Sequence, residues 1–184
     1  KIKSVNYKFN GYGKYLNFQN DNKVSEFISS YFKIPSTFSD IVLEGGAIVY
    51  DENANLFSTK NVIFNKNRKQ TLSNENILNE LKIQFNLKHI FLFENGLIGD
   101  DTDGHVDNLL CPIGNNKYLI ADTSKFSSNY DILNKNKKDL ISFFDYTKQK
   151  FELISIPLPS NKKINNKNLI SSYKLVSFTL SNQE

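Results

Sequence analysis

Methionine and tryptophan are absent from the 184 residues, cysteine occurs once and histidine twice. The single cysteine, Cys111, excludes an internal disulfide and fits a reducing compartment. His89 and His105 lie in different segments, with Cys111 apart from both. The several His or Cys ligands that zinc requires are therefore missing. No apolar run approaches the ~18 residues that cross a bilayer. Lysine and arginine are scattered, with no basic stripe or arginine-rich arm. The net charge of +4 is thus no footprint for nucleic acid. These absences lead us to expect a cytoplasmic protein with neither a nucleic-acid nor a membrane partner. The chain opens without methionine inside one expected strand, residues 2–9, and closes just after another, residues 175–180. We therefore expect it to be part of a longer polypeptide.

What is present suits a globular domain: 39% hydrophobic and 13% aromatic residues, in a chain long enough for one core. After strand 2–9 comes a two-glycine turn, FNGYGK. A helix is expected over 22–32, capped by Asp21, with Val24, Phe27, Ile28 and Tyr31 at helical spacing and Pro35 beyond its end. IVLEGGAIVY reads as two short apolar runs divided by a glycine pair. Ser73 caps a second helix, with Ile77, Leu78, Leu81 and Phe85 on one face. HIFLF suits a buried strand. Two strands flank a turn at Gly114 and Asn115, a third helix spans 130–146, and KFELISIPLP is the next strand. The order strand, strand, helix, strand occurs from 42 to 93 and again from 105 to 157. One such unit cannot bury both faces of its sheet, so several packed about an axis are expected, as in a propeller. A three-layer α/β sandwich is the alternative. The expected units are about 1–43, 44–93 and 103–157, with the start of a further one at 173–184, all within one domain.

The most unusual stretch is GDDTDGHVDN, residues 99–108, with four carboxylates around a histidine. If His105 begins a strand, it shares a face with Asp107, while Asp100, Asp101 and Asp103 belong to the turn before it. A calcium loop of the EF-hand type does not fit, because Gly104 comes too early and nothing acidic holds the twelfth place. No metal is expected. A carboxylate beside an imidazole can instead bind a planar cation and move a proton. The plain alternative is a solvated turn, with Asp107 holding one tautomer of His105.

Several segments together resemble the agmatine deiminase and bacterial peptidylarginine deiminase family, guanidino-group-modifying enzymes of the pentein fold. They are FNGYGKY (9–15), LEGG (43–46), FNKNR (64–68) and GDDTDGHVDN. The resemblance implies an α/β propeller of strand-strand-helix-strand units, here incomplete. It implies hydrolysis of a guanidinium to a ureido group with release of ammonia, agmatine giving N-carbamoylputrescine through a cysteine thiouronium intermediate and without a cofactor. His105 would protonate the departing ammonia and then activate water. Glu44 would pair with His105, while Asp107 and Asp101 would bind the substrate. The alternatives are a peptidylarginine deiminase-like enzyme or an inactive relative that only binds guanidinium compounds. A homo-oligomer is compatible with all three.

In that family the nucleophile lies in a Gly-rich segment ending His-Cys, and a second carboxylate lies in a Trp-x-Arg-Asp motif. Neither has a counterpart here. Cys111 is six residues from His105, about 20 Å along an extended strand, and is expected to be a buried core thiol. These 184 residues are therefore expected to be inactive alone. SSYKLVSFTLSN resembles a family Ser-Tyr…Asn-Phe segment, with Ser177 where Asn is usual.

Overall fold

The computed structural model describes residues 2–159 and the backbone of 163–164 and 167–168. The strand expected at 175–180 and the position of Ser177 lie outside the described residues.

Three small sheets carry the fold. β1 (Ser4–Lys8) and β2 (Ser36–Val42) pair in parallel and are joined through α1 (Val24–Tyr31). The second sheet has the order β3 (Val49–Tyr50), β4 (Asn55–Thr59), β5 (His89–Phe93). β3 is antiparallel to β4, and β4 is parallel to β5. Between β4 and β5 lie the short α2 (Lys60–Ile63) and α3 (Asn74–Gln84). The third sheet repeats this connectivity. β6 (Leu110–Gly114) is antiparallel to β7 (Lys117–Asp122), and α4 (Tyr130–Thr147) crosses over to β8 (Glu152–Pro157), parallel to β7. A hairpin of β9 (Lys163–Ile164) and β10 (Lys167–Asn168) follows. The fold is mixed α/β, and among the described residues no closed propeller is formed.

Local chemistry accounts for most of these boundaries. Ser73 accepts a hydrogen bond from the Asn76 N–H and starts α3 as its sequence promised. The β6–β7 hairpin turns on Asn115 and Asn116, both with positive φ, the conformation a two-residue hairpin loop needs. The turn is thus one residue later than expected. Asp21 does not cap α1; residues Asp21–Lys23 form their own 3-10 turn.

The expected apolar face of α1 is also corrected. Val24, Phe27, Ile28 and Tyr31 are all exposed, and the buried residue is Ser29. Its hydroxyl reaches Ser4 Oγ at 2.8 Å and Asn6 Oδ1 at 3.2 Å, so a small polar side chain faces β1. Periodicity locates a stripe, but the space against β1 decides which face turns inward.

Two hydrophobic clusters form the core. Leu133, Leu140 and Phe144 of α4 pack on Phe57, Phe93 and Tyr118; Ile77 and Leu81 of α3 pack on Ile41, Ala47 and Ile63. Leu81 is wholly buried whereas Ile83 is 81% exposed. Leu81→Ala should cost about 3 kcal/mol, and Ile83→Ala less than about 0.5 kcal/mol. Urea titration of the two variants checks this; equal losses would overturn the α3 packing.

The second and third sheets also join through polar groups. Tyr118 donates its hydroxyl to Asp51 Oδ2 at 2.7 Å, and Asn53 Nδ2 donates to Asn116 Oδ1 at 2.8 Å. The Asn116 N–H donates to Glu52 Oε1 at 2.7 Å. β3 and β6 lie against each other, running from the 44–47 and 105–108 turns to these two hairpin loops.

Candidate active site

LEGG leaves β2 and becomes the 3-10 turn Gly45–Ala47, with extended backbone at Glu44. This carries Glu44 inward, where it is 8% exposed. His105 does not begin a strand, as expected. It precedes a second 3-10 turn, Val106–Asn108, and β6 starts only at Leu110. Strand parity therefore does not bring His105 and Asp107 together. The two 3-10 turns, packed against each other, do so instead.

Gly46 shows how close that packing is. A Cβ there would lie 2.4 Å from Asp107 Oδ2 and 2.5 Å from His105 Nδ1. Only hydrogen at Cα lets both side chains converge on the backbone of LEGG. On the other edge of the imidazole, His105 Nε2 is 3.5 Å from Glu44 Oε2. Thus the structure brings Glu44, His105 and Asp107 into one cluster. It does not bring Asp101 there: this exposed carboxylate accepts the Tyr15 hydroxyl, and its backbone carbonyl accepts Lys14 Nζ at 2.8 Å.

Asp100, assigned no role from the sequence, organises the acidic turn. Its Oδ2 accepts the N–H groups of Gly104 at 3.0 Å and His105 at 2.8 Å, and Asn108 Nδ2 at 3.2 Å. Its Oδ1 accepts the Thr102 N–H at 3.0 Å and hydroxyl at 2.7 Å. Burial pushes the Asp100 pKa up, but hydrogen bonds from Thr102, His105 and Gly104 outweigh it and hold the carboxyl below its ordinary range. The repulsion expected among the carboxylates is thus relieved by distributing them. Asp100 binds backbone, Asp101 binds Tyr15, Asp103 pairs with Lys14 at 2.6 Å, and Asp107 faces Gly46.

The glycine turn 11–15 covers this region. Gly13 has φ +69°, and a Cβ on it would lie 2.0 Å from the Asn67 carbonyl oxygen, so only glycine lets the two loops meet. Tyr12 sets its ring edge-on to His105, centroids 5.7 Å apart. Burial, then the Glu44 charge, pushes its hydroxyl pKa up, so a neutral ring borders the imidazole. Tyr12 and Arg68 lie in segments that carried the resemblance, FNGYGKY and FNKNR, but neither had a role from sequence.

Cys111 sits on β6 opposite Leu119. It is half-buried, not the fully buried thiol expected, and a 3-10 turn replaces the extended path assumed between it and His105. Burial pushes its thiol pKa up, away from the reactive thiolate. Among the described residues no group of three or more His, Cys, Asp or Glu could hold a metal ion. No described helix is long and apolar enough to cross a membrane.

Comparison with known proteins assigns the chain to a family. An agmatine deiminase of Medicago truncatula is 31% identical over 166 residues, 86% of this chain and 44% of that protein. The structure of a C. jejuni agmatine deiminase with substrate bound has a TM-score of 0.77 and 29% identity, covering 89% of this chain and 48% of that one. A Porphyromonas gingivalis structure, with TM-score 0.81 at 24% identity over 92% of this chain and 52% of that one, speaks for the fold alone. The chain spans about half the length of the curated relatives it matches. The model of the Porphyromonas-type peptidyl-arginine deiminase family matches residues 1–184, and the chain belongs to that family.

Proposed function

We propose that Glu44, His105 and Asp107 form the acid–base and guanidinium-binding part of a deiminase acting on agmatine. The reaction adds water to a guanidinium carbon and releases ammonia, leaving a ureido group. His105 is the proton carrier, giving a proton to departing ammonia and taking one from the attacking water. Asp107 binds guanidinium nitrogens, a planar donor array that a carboxylate matches well. Glu44 holds the Nε2 edge of the imidazole. The observation that carries this reading is the convergence of His105 Nδ1 and Asp107 Oδ2 on Gly46, with Glu44 on the opposite ring edge. Names of the relatives favour agmatine; the family model's description keeps a peptidyl arginine as the second reading.

A thiolate must attack the guanidinium carbon in this scheme, and the one cysteine present, Cys111, has a thiol disfavoured from ionising. The nucleophile is accordingly assigned to sequence outside these 184 residues. The chain alone should bind agmatine without releasing ammonia. Isothermal titration against agmatine, an arginine-containing peptide and putrescine tests the reading. Agmatine should bind more tightly than putrescine, which lacks the guanidinium, and Asp107→Asn should weaken agmatine about tenfold or more. Equal binding of putrescine, or an unaffected Asp107→Asn, would sink it. Ammonia release by the chain alone would refute the assignment of the nucleophile.

A further inference from the structure

We propose that Arg68 is a positioning residue that fixes Glu44 against His105 and anchors the acidic turn behind it. The inference rests on the deiminase reading for its substrate but not for its geometry. Arg68 is fully buried, which is rare for a guanidinium, and among the described residues its Nη1 finds no hydrogen-bond acceptor. Its Nε lies 3.1 Å from both Oε1 and Oε2 of Glu44. Its Nη2 donates to the Thr102 carbonyl at 2.8 Å, and Nη1 is 3.8 Å from Asp103 Oδ2. The Arg68 carbonyl accepts Asn10 Nδ2 at 2.9 Å. Its guanidinium therefore ties the LEGG turn to the acidic turn, and its backbone carbonyl adds Asn10, at the start of the glycine turn.

Two consequences follow for the site. First, Glu44 cannot rotate freely, because both its oxygens are held by Arg68 while Oε2 also faces His105. Second, two carboxylates, Glu44 and Asp107, approach one buried imidazole. Arg68 places a fixed positive charge beside the Glu44 carboxylate. Lysine would keep that charge, but its single nitrogen cannot reproduce the fork that spans Glu44 and Thr102.

The test uses the 184-residue chain and its two histidines. Ring-nitrogen chemical shifts of His105 are read by NMR, with His89 assigned by His89→Gln, and agmatine is titrated on the same signals. Arg68→Gln should move the His105 ring shifts and weaken agmatine about tenfold or more. Arg68→Lys should recover part of both changes. Leu81→Ala, which destabilises the core without touching the site, should change neither while both variants are folded. If Arg68→Gln, or Arg68→Lys should the former not fold, keeps wild-type ring shifts and affinity, Arg68 has only a structural role and the proposal falls. If the wild-type chain binds no agmatine, the substrate reading fails on its own, and the ring shifts still decide the role of Arg68.

Discussion

Gly46→Ala should abolish agmatine binding, with a loss on the order of 100-fold or more, while Gly45→Ala should keep it. The neighbouring glycines differ in surroundings. A Cβ on Gly45 meets nothing within 4 Å, whereas one on Gly46 would meet Asp107 Oδ2 at 2.4 Å, His105 Nδ1 at 2.5 Å and Asp107 Cγ at 2.9 Å. Neither glycine has the positive φ that would itself require glycine, so the effect comes from space alone. Both side chains must withdraw from the LEGG backbone, and a lost charge-assisted contact to a guanidinium costs up to about 3 kcal/mol, roughly 100-fold in affinity. Melting temperature should change little, because the clash falls on two side chains and leaves both core clusters intact. Titration calorimetry with agmatine, beside thermal unfolding of both variants, reads the two effects separately. Full binding by Gly46→Ala would show that Asp107 and His105 do not work from that face.

Asp100→Asn should destabilise the fold by about 2 kcal/mol at pH 7, the scale of lost charge-assisted bonds. The amide can accept through one atom only. Its Nδ2 would then point a donor at other donors: the backbone N–H groups of Gly104 and His105, or the N–H and hydroxyl of Thr102. The sign of the pH dependence follows from the lowered Asp100 pKa. The unfolded chain binds a proton near pH 3.9, and the folded chain only at lower pH. The carboxylate's contribution is therefore fully present above the unfolded value and is lost as pH falls through the folded one. Wild type and variant should differ most at neutral pH, and the gap should narrow as pH falls below the unfolded value. Urea unfolding at pH 7, 5 and 3 measures the gap; a constant gap would mean that the ionised carboxylate is not what holds the turn.

Asp100 also shows where sequence reasoning stopped. The sequence divided the four carboxylates into a turn and a His105–Asp107 pair, yet within the turn the structure gives Asp100, Asp101 and Asp103 different partners. A side chain that bonds backbone N–H groups two to five residues ahead leaves no pattern distinct from a solvated turn. The connectivity of the second and third sheets was legible, because apolar runs, Ser73 and the turn near Asn115 are local signals. The route by which His105 meets Asp107 was not. It depends on two 3-10 turns from distant segments, and HVDNLL carries enough apolar residues to pass for a strand. Arg68 was hidden for a related reason. Nothing in FNKNR says that its arginine is buried; that is decided by Glu44, 24 residues away, and Thr102, 34 residues away.

The polar contacts joining the two hairpin loops have a mechanical meaning. β3 and β6 lie side by side as two short arms. Glu44 and His105 stand just before one pair of ends, while Asp51, Asn53, Asn116 and Tyr118 pin the other. Arms pinned at one end behave as callipers. The angle set at the pinned end bears on how closely the two 3-10 turns approach, while Arg68 holds Glu44 itself. The approach of the LEGG and HVDN turns is thus set partly by residues that belong to neither.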